Sequence, residues 1–185
     1  MRDEGLPEDA VLGFRRLYEQ LAAGERGLLP TDELEPVRDV PVLDDLEDLG
    51  AAPLDALAVL KLNGGLGTSM GLSIPKTLVP VRPPLTFLDV IARQVLAGRR
   101  RHGARLPLVL MHSFATRERS LAHLARYEDL PADVPLDFLQ GREPKLRADS
   151  LAPVDWPRDP RLEWCPPGHG DLFSCLLYTS DAADE

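Results

Sequence analysis

Apolar residues at Val11, Phe14, Leu17 or Tyr18, and Leu21 recur every three or four positions, so residues 7–23 are predicted to form a short amphipathic helix that Gly24 ends. From Leu29 to Leu49 the period disappears, and prolines alternate with the acidic clusters Asp32-Glu33, Asp44-Asp45 and Glu47-Asp48. That stretch reads either as an extended arm wrapping the next domain or as a disordered linker. The apolar run Leu57, Val59, Leu60 and Leu62 predicts a strand. Thr86 can then cap a helix carrying Phe87, Leu88, Ile91, Val95 and Leu96 on one side. Arg99 to Arg101 in its last turn oppose the helix dipole, and Gly103 stops it. Leu106 to Met111 reads as a buried strand, Thr116 can cap a helix bearing Leu121, Leu124 and Tyr127, and Pro135 opens a strand from Leu136 to Leu139.

This β-loop-α-β-α-β order predicts an α/β fold with a parallel sheet of Rossmann type, its strands joined by helical crossovers. Such sheets bind ligands beyond the carboxyl ends of their strands, where Asn63, His112 and Gln140 fall. The first strand runs into glycines at 64, 65, 67 and 71, and Lys76 follows soon after. Glycine lets backbone N–H groups come close to an anion, and the ammonium supplies positive charge, so the stretch reads as a phosphate cradle. A plain glycine-rich turn beside an inert surface lysine is the alternative. Two familiar loops do not fit. A P-loop needs glycines at 70 and 75, where Met70 and Pro75 stand, and the dinucleotide fingerprint G-x-G-x-x-G needs one at 70.

The run L-N-G-G-L-G-T-S-M-G from Leu62 to Gly71, with Pro75-Lys76-Thr77 after it, closely resembles the signature of eukaryotic-type UTP:glucose-1-phosphate uridylyltransferases, the UDP-glucose pyrophosphorylases. Three later stretches extend the resemblance. His112-Ser113-Phe114-Ala115-Thr116 is similar to the family's N-S-F-x-T with histidine replacing asparagine. Phe138-Leu139-Gln140 with Pro144-Lys145-Leu146 is similar to its F-x-Q and P-K segment, and Trp164 to Asp171 to its W-x-P-P-G-H-G-D. Ile74 and Thr77 depart from the glycine and serine that many members carry. The resemblance implies a Rossmann-like nucleotide-diphosphosugar transferase fold of the GT-A-like kind, here truncated and preceded by an N-terminal helical arm. It implies uridylyl transfer from UTP to glucose 1-phosphate, giving UDP-glucose and pyrophosphate. Leu62, Asn63, Gly64, Gly65, Lys76, Gln140 and Gly168 would bind the nucleotide, with Lys76 as the catalytic cation on the triphosphate. Gly64, Gly65 and His169 would also meet the sugar phosphate.

The same resemblance sets expectations about extent. Residues 1–55 are expected to form the acidic arm and 56–174 an incomplete catalytic domain, because the family continues for a few hundred residues and ends in a β-helical domain. Its Mg²⁺ aspartate belongs to that later part, so no metal ligand is expected here and the segment alone is expected to be inactive. Residues 175–185 look like a translated sequencing adaptor joined to an interrupted frame, the alternative being a native C-terminal segment.

Composition narrows the classes. With 185 residues, 44% hydrophobic and 28% charged, the chain is large enough for a core. No apolar run approaches the roughly 18 residues of a membrane span, and Met1-Arg2-Asp3-Glu4 does not open a signal peptide, so a cytoplasmic protein is expected. Cys165 and Cys175 make no disulfide framework. The net charge of −9 is uneven: residues 1–55 carry 5 basic and 15 acidic groups, whereas 56–174 carry 16 and 12. The glycine-loop region is the electropositive part, as a polyphosphate binder or simply an arginine-rich surface would be. The histidines have no zinc spacing. His102 and His123 read as solvated, His112 is ambiguous, and His169, between glycines after two prolines, reads as a ligand contact. Gln140 suits an imide base edge, although a buried glutamine satisfied by backbone is the plainer reading. Arg99-Arg100-Arg101 lacks interleaved aromatics, and nucleic acid is not an expected partner. Three other functions stay open. One is a pyrophosphorylase for another sugar 1-phosphate, such as N-acetylglucosamine 1-phosphate. A second is a nicotinamide-dependent oxidoreductase with Asp89 as ribose ligand, and a third is a non-catalytic nucleotide-binding module. Oligomeric state is not legible.

Overall fold

The computed structural model describes residues 1–47 and 52–181. Asp48 and Leu49 of the acidic stretch, and 182–185 of the tail, lie outside the described residues. The chain divides into two compact units, Met1–Ala52 and Pro53–Glu185. In the first, α1 spans Glu8–Ala22, with Glu8 and Asp9 in its first turn against the positive end of the dipole. Phe14 and Tyr18 stack one turn apart with ring centroids 6.3 Å apart. Gly24 at φ 89° ends the helical stretch as its sequence position predicts. Beyond it, residues 25–47 are exposed and carry only two single-turn 3₁₀ segments, Thr31–Glu33 and Leu43–Asp45.

The second unit is built on a parallel sheet of three strands in the order β1-β4-β5, where β1 is Val59–Asn63, β4 Leu108–His112 and β5 Asp137–Leu139. Register places Asn63 opposite His112, and His112 opposite Leu139, so the carboxyl ends of all three strands finish in one row. Crossovers run through α2 (Phe87–His102) and α3 (Arg117–Leu124). Leu88, Ala92 and Val95 of α2 pack on Leu108 and Leu110 of β4, and Leu124 and Leu130 close the cluster. Each fully buried leucine contributes about 1.5–3 kcal/mol. Thr86 caps α2 through a complete capping box: its Oγ1 accepts from Asp89 N at 3.2 Å, and Asp89 Oδ2 accepts from Thr86 N at 2.8 Å. Gly103 at φ 62° takes the left-handed turn that stops the helix. Arg99 reaches further than a dipole contact, donating to the carbonyls of Leu106, Asp129 and Leu130 at 2.8–3.0 Å and so tying α2 to the segment before β5.

Several elements differ from the sequence reading. The middle strand starts at Leu108, because Leu106 takes φ 31°, a turn conformation. Thr116 stands immediately before α3 but its side chain does not cap it; its hydroxyl donates to Asn63 O at 2.6 Å. Tyr127 lies past that helix. Two small antiparallel pairs have no counterpart in the periodicity, since strands of two or three residues are too short to show a period. One joins β2 (Pro80–Arg82) to β3 (Leu85–Thr86) across a cis Pro83-Pro84 bond. The other joins β6 (Glu143–Pro144) to β7 (Trp164–Cys165). A further helix, α4, spans Asp171–Asp181.

Candidate active site

The row of strand ends does hold Asn63, His112 and Gln140 together, with Gln140 N donating to His112 O at 2.8 Å. Their side chains have different fates. Asn63 and His112 are 3% and 0% exposed, and both point into the protein. Asn63 Nδ2 donates to Ser120 Oγ at 2.9 Å and lies 3.2 Å from His112 Nδ1, while Thr77 Oγ1 donates to Asn63 Oδ1 at 2.6 Å. The Asn63 side chain is therefore consumed internally. Burial pushes the His112 imidazole below its usual pKa, with Asp137 opposing that and Arg117 adding to it, so the ring is neutral near pH 7.

The loop after β1 is fixed by its carbonyls. Asn63 O accepts from Thr116 Oγ1 at 2.6 Å, Gly64 O from Ser113 Oγ at 2.7 Å, and Gly65 O from Lys76 N at 3.0 Å. By contrast, the N–H groups of Gly64 and Gly65 donate to no acceptor among the described residues. Carbonyls held by the protein and bare N–H groups beside them are what an anion cradle requires. Lys76 follows Pro75 in a short 3₁₀ turn, and its stem lies along Gly65, with Cδ 3.6 Å from where a Cβ would stand. Its exposed ammonium has no carboxylate partner among the described residues. Gln140 lies over Gly64 so closely that a Cβ there would overlap Oε1. Its carboxamide makes no hydrogen bond among the described residues, in contrast to the backbone-satisfied alternative.

Gly168 sits at φ 115°, a conformation only glycine adopts without strain, and turns the chain into α4 with His169 exposed beside it. Asp171 Oδ2 accepts from Gly141 N at 2.5 Å and so links that turn to the residue after Gln140. Gly64 and Gly65 open onto a cavity of about 490 Å³ whose other walls include Ser113, Lys145, Arg161 and Trp164. Lys76 instead lines a neighbouring cavity of about 340 Å³ with Lys61, Phe87 and Ile91. Gln140, Gly168 and His169 border neither of these two.

Sequence reasoning missed Lys145 and Arg161 as cavity walls, although the P-K segment around Lys145 pointed to it. It also missed Arg142, whose guanidinium lies 4.8 Å over the Trp164 ring. Another correction concerns His123, which is not solvated: Nε2 lies 3.0 Å from Asp89 Oδ1. Asp89, 1% exposed, also accepts from Tyr127 OH at 2.7 Å. Burial opposes its charge, but the hydrogen bonds from Thr86, Tyr127 and His123 hold its carboxyl well below the usual range. A carboxylate so occupied has no capacity for a ribose hydroxyl, which removes the ligand that an oxidoreductase would need. The Cys175 thiol, pushed up to about 11 by burial and the neighbouring Asp171, is not a nucleophile at neutral pH.

The family model for UTP–glucose-1-phosphate uridylyltransferase matches residues 11–185. The chain belongs to that family. It is 36% identical over 181 residues to the UTP–glucose-1-phosphate uridylyltransferase of Solanum tuberosum, covering 93% of this chain and 38% of that protein. To the Saccharomyces cerevisiae enzyme of the same name it is 46% identical over 129 residues, covering 69% and 26%. Among solved structures it is similar to the Leishmania major UDP-glucose pyrophosphorylase S374W mutant in complex with UDP-glucose, with TM-score 0.84 and 39% identity over 95% of this chain and 37% of that one. The UDP-glucose phosphorylase from Trypanosoma brucei gives TM-score 0.82 and 37% identity, covering 100% and 38%. The chain thus spans roughly a third of the length of these uridylyltransferase relatives, and over that part it has their mixed α/β fold.

Proposed function

We propose that this chain forms the nucleotide-binding part of an enzyme that transfers uridylyl from UTP to glucose 1-phosphate and releases pyrophosphate. The N–H groups of Gly64 and Gly65, without an acceptor among the described residues, and the stem of Lys76 lying along Gly65 carry that reading. A sugar-phosphate oxygen attacks the α-phosphorus of UTP in line, pyrophosphate departs, and no covalent enzyme intermediate forms. This chemistry depends on positioning and on stabilising negative charge. The backbone from Leu62 to Gly65 and the Lys76 ammonium meet the phosphates. Gln140, able to donate and accept at once, reads the uracil edge with Gly168 beside it, and His169 with Gly64 and Gly65 meets the sugar phosphate.

Bound Mg²⁺ would neutralise phosphate charge. Among the described residues no group of three or more His, Cys, Asp or Glu side chains is placed to hold a metal. No helix among the described residues is long and apolar enough to cross a membrane. The test is to assay the complete protein with UTP, Mg²⁺ and glucose 1-phosphate and to follow pyrophosphate. N-acetylglucosamine 1-phosphate serves as the competing acceptor and NADPH as the competing ligand. Turnover that depends on UTP and prefers glucose 1-phosphate is expected; binding of NADPH in place of UTP would overturn the reading.

A further inference from the structure

We infer that His112 is a positioning residue, the buried anchor from which the nucleotide loop, Lys76 and Gln140 are held in register. The inference rests on the proposed uridylyl transfer for what is positioned. Its physical basis is the connectivity of one buried polar cluster. Thr77, the residue after Lys76, donates to Asn63 Oδ1 at 2.6 Å. That bond fixes the Asn63 carboxamide so that its Nδ2 faces both Ser120 Oγ, at 2.9 Å, and His112 Nδ1, at 3.2 Å. The backbone carbonyl of the same histidine accepts from Gln140 N at 2.8 Å. The Lys76 turn, the start of the glycine loop and the amide over Gly64 therefore meet at the Asn63–His112 pair, across neighbouring strands β1 and β4.

The geometry also dictates the protonation state. Asn63 Nδ2 is a donor, so His112 Nδ1 must accept, and the ring proton resides on Nε2. That Nε2 is buried with no hydrogen-bond partner among the described residues. A buried donor left unmade costs stability, and an apolar side chain here would avoid that cost. What the imidazole supplies in return is the acceptor at Nδ1. Protonation would place an N–H against the Asn63 N–H and break the link. The charged groups acting on the ring are Asp137 of β5 and Arg117 of α3, paired with each other at 2.6 Å, and from β1 the neutral Asn63 meets Nδ1.

The complete protein is the object of the test, with wild-type uridylyl transfer measured first, so that failure of the functional reading shows as absent turnover before any variant is compared. His112→Leu removes the acceptor and should raise the KM for UTP about tenfold, with a smaller change in kcat. His112→Asn, which can present Oδ1 to Asn63, should restore KM to within about twofold of wild type on the same reasoning. If His112→Leu does not fold, Thr77→Val breaks the same chain at its other end and should raise the KM for UTP likewise. Imidazole ¹⁵N shifts supply a readout independent of turnover, expected to show the Nε2–H tautomer at neutral pH. An active enzyme with an unchanged KM in His112→Leu or in Thr77→Val, or an Nδ1–H tautomer, would overturn the inference.

Discussion

Gly64→Ala places one methyl group where the candidate site has least room. The new Cβ would overlap Gln140 Oε1 and stand 3.1 Å from Cδ and 3.3 Å from Nε2, so every terminal atom of the carboxamide is affected. Backbone cannot yield: Gln140 N is bonded to His112 O at 2.8 Å and the following Gly141 N to Asp171 at 2.5 Å. The glutamine side chain must swing away, which is cheap for folding because it is flexible and makes no hydrogen bond to lose among the described residues. The global melting temperature should therefore change little. The functional cost is larger: a base edge left unpaired in a closed site loses about 1–3 kcal/mol, or about 5- to 150-fold in kcat/KM for UTP relative to ATP. Gln140→Ala should lose a similar factor. Because both substitutions act through one carboxamide, the double variant should resemble Gln140→Ala alone, whereas independent effects would multiply. The assay is uridylyl transfer by the complete protein with each nucleotide, in all four members of the cycle. An unchanged UTP/ATP ratio in Gly64→Ala, or full multiplicativity in the cycle, would refute the reasoning.

Lys76→Ala should lower kcat/KM for UTP by about 10- to 150-fold, the worth of about 1.5–3 kcal/mol in a charge-assisted contact, with unchanged circular dichroism because the side chain is exposed. Asp89→Ala should cost about 3–5 kcal/mol in urea unfolding, since it strips the α2 capping box and leaves Tyr127, His123 and Thr86 without their buried acceptor. In the wild type the Asp89 contribution is present above the unfolded carboxylate pKa of about 3.9 and is lost as pH falls through the lower folded value. His112 acts in a separate window. Below about pH 6.5 the unfolded chain takes up a proton that the buried ring resists, so stability should fall by up to about 1.4 kcal/mol per pH unit, a slope that His112→Asn should remove.

The helix from Phe87 to His102 was legible because its start and stop are local: Thr86 with Asp89 three residues on, and Gly103 after the last turn. The three parallel strands and their order followed from apolar runs separated by helical periods, and that order alone brought Asn63, His112 and Gln140 to one edge of the sheet. Glycine spacing and Lys76 carried the reading of a phosphate cradle, since a glycine-rich backbone and a nearby cation are encoded within fifteen residues. Which polar side chains face a ligand and which face one another was not encoded that way. Asn63 and Thr77 are fourteen residues apart, and Asn63 and Ser120 fifty-seven, yet they form one buried network, while the histidine read as solvated at 123 is pinned to Asp89. Periodicity assigns a residue to a face of its own element; the partner across that face is set by how β1, β4 and α3 pack. Tertiary packing alone therefore decided that the Asn63 side chain is part of the support, that Gln140 lies over Gly64, and that Lys145 and Trp164 wall the cavity facing the glycine loop.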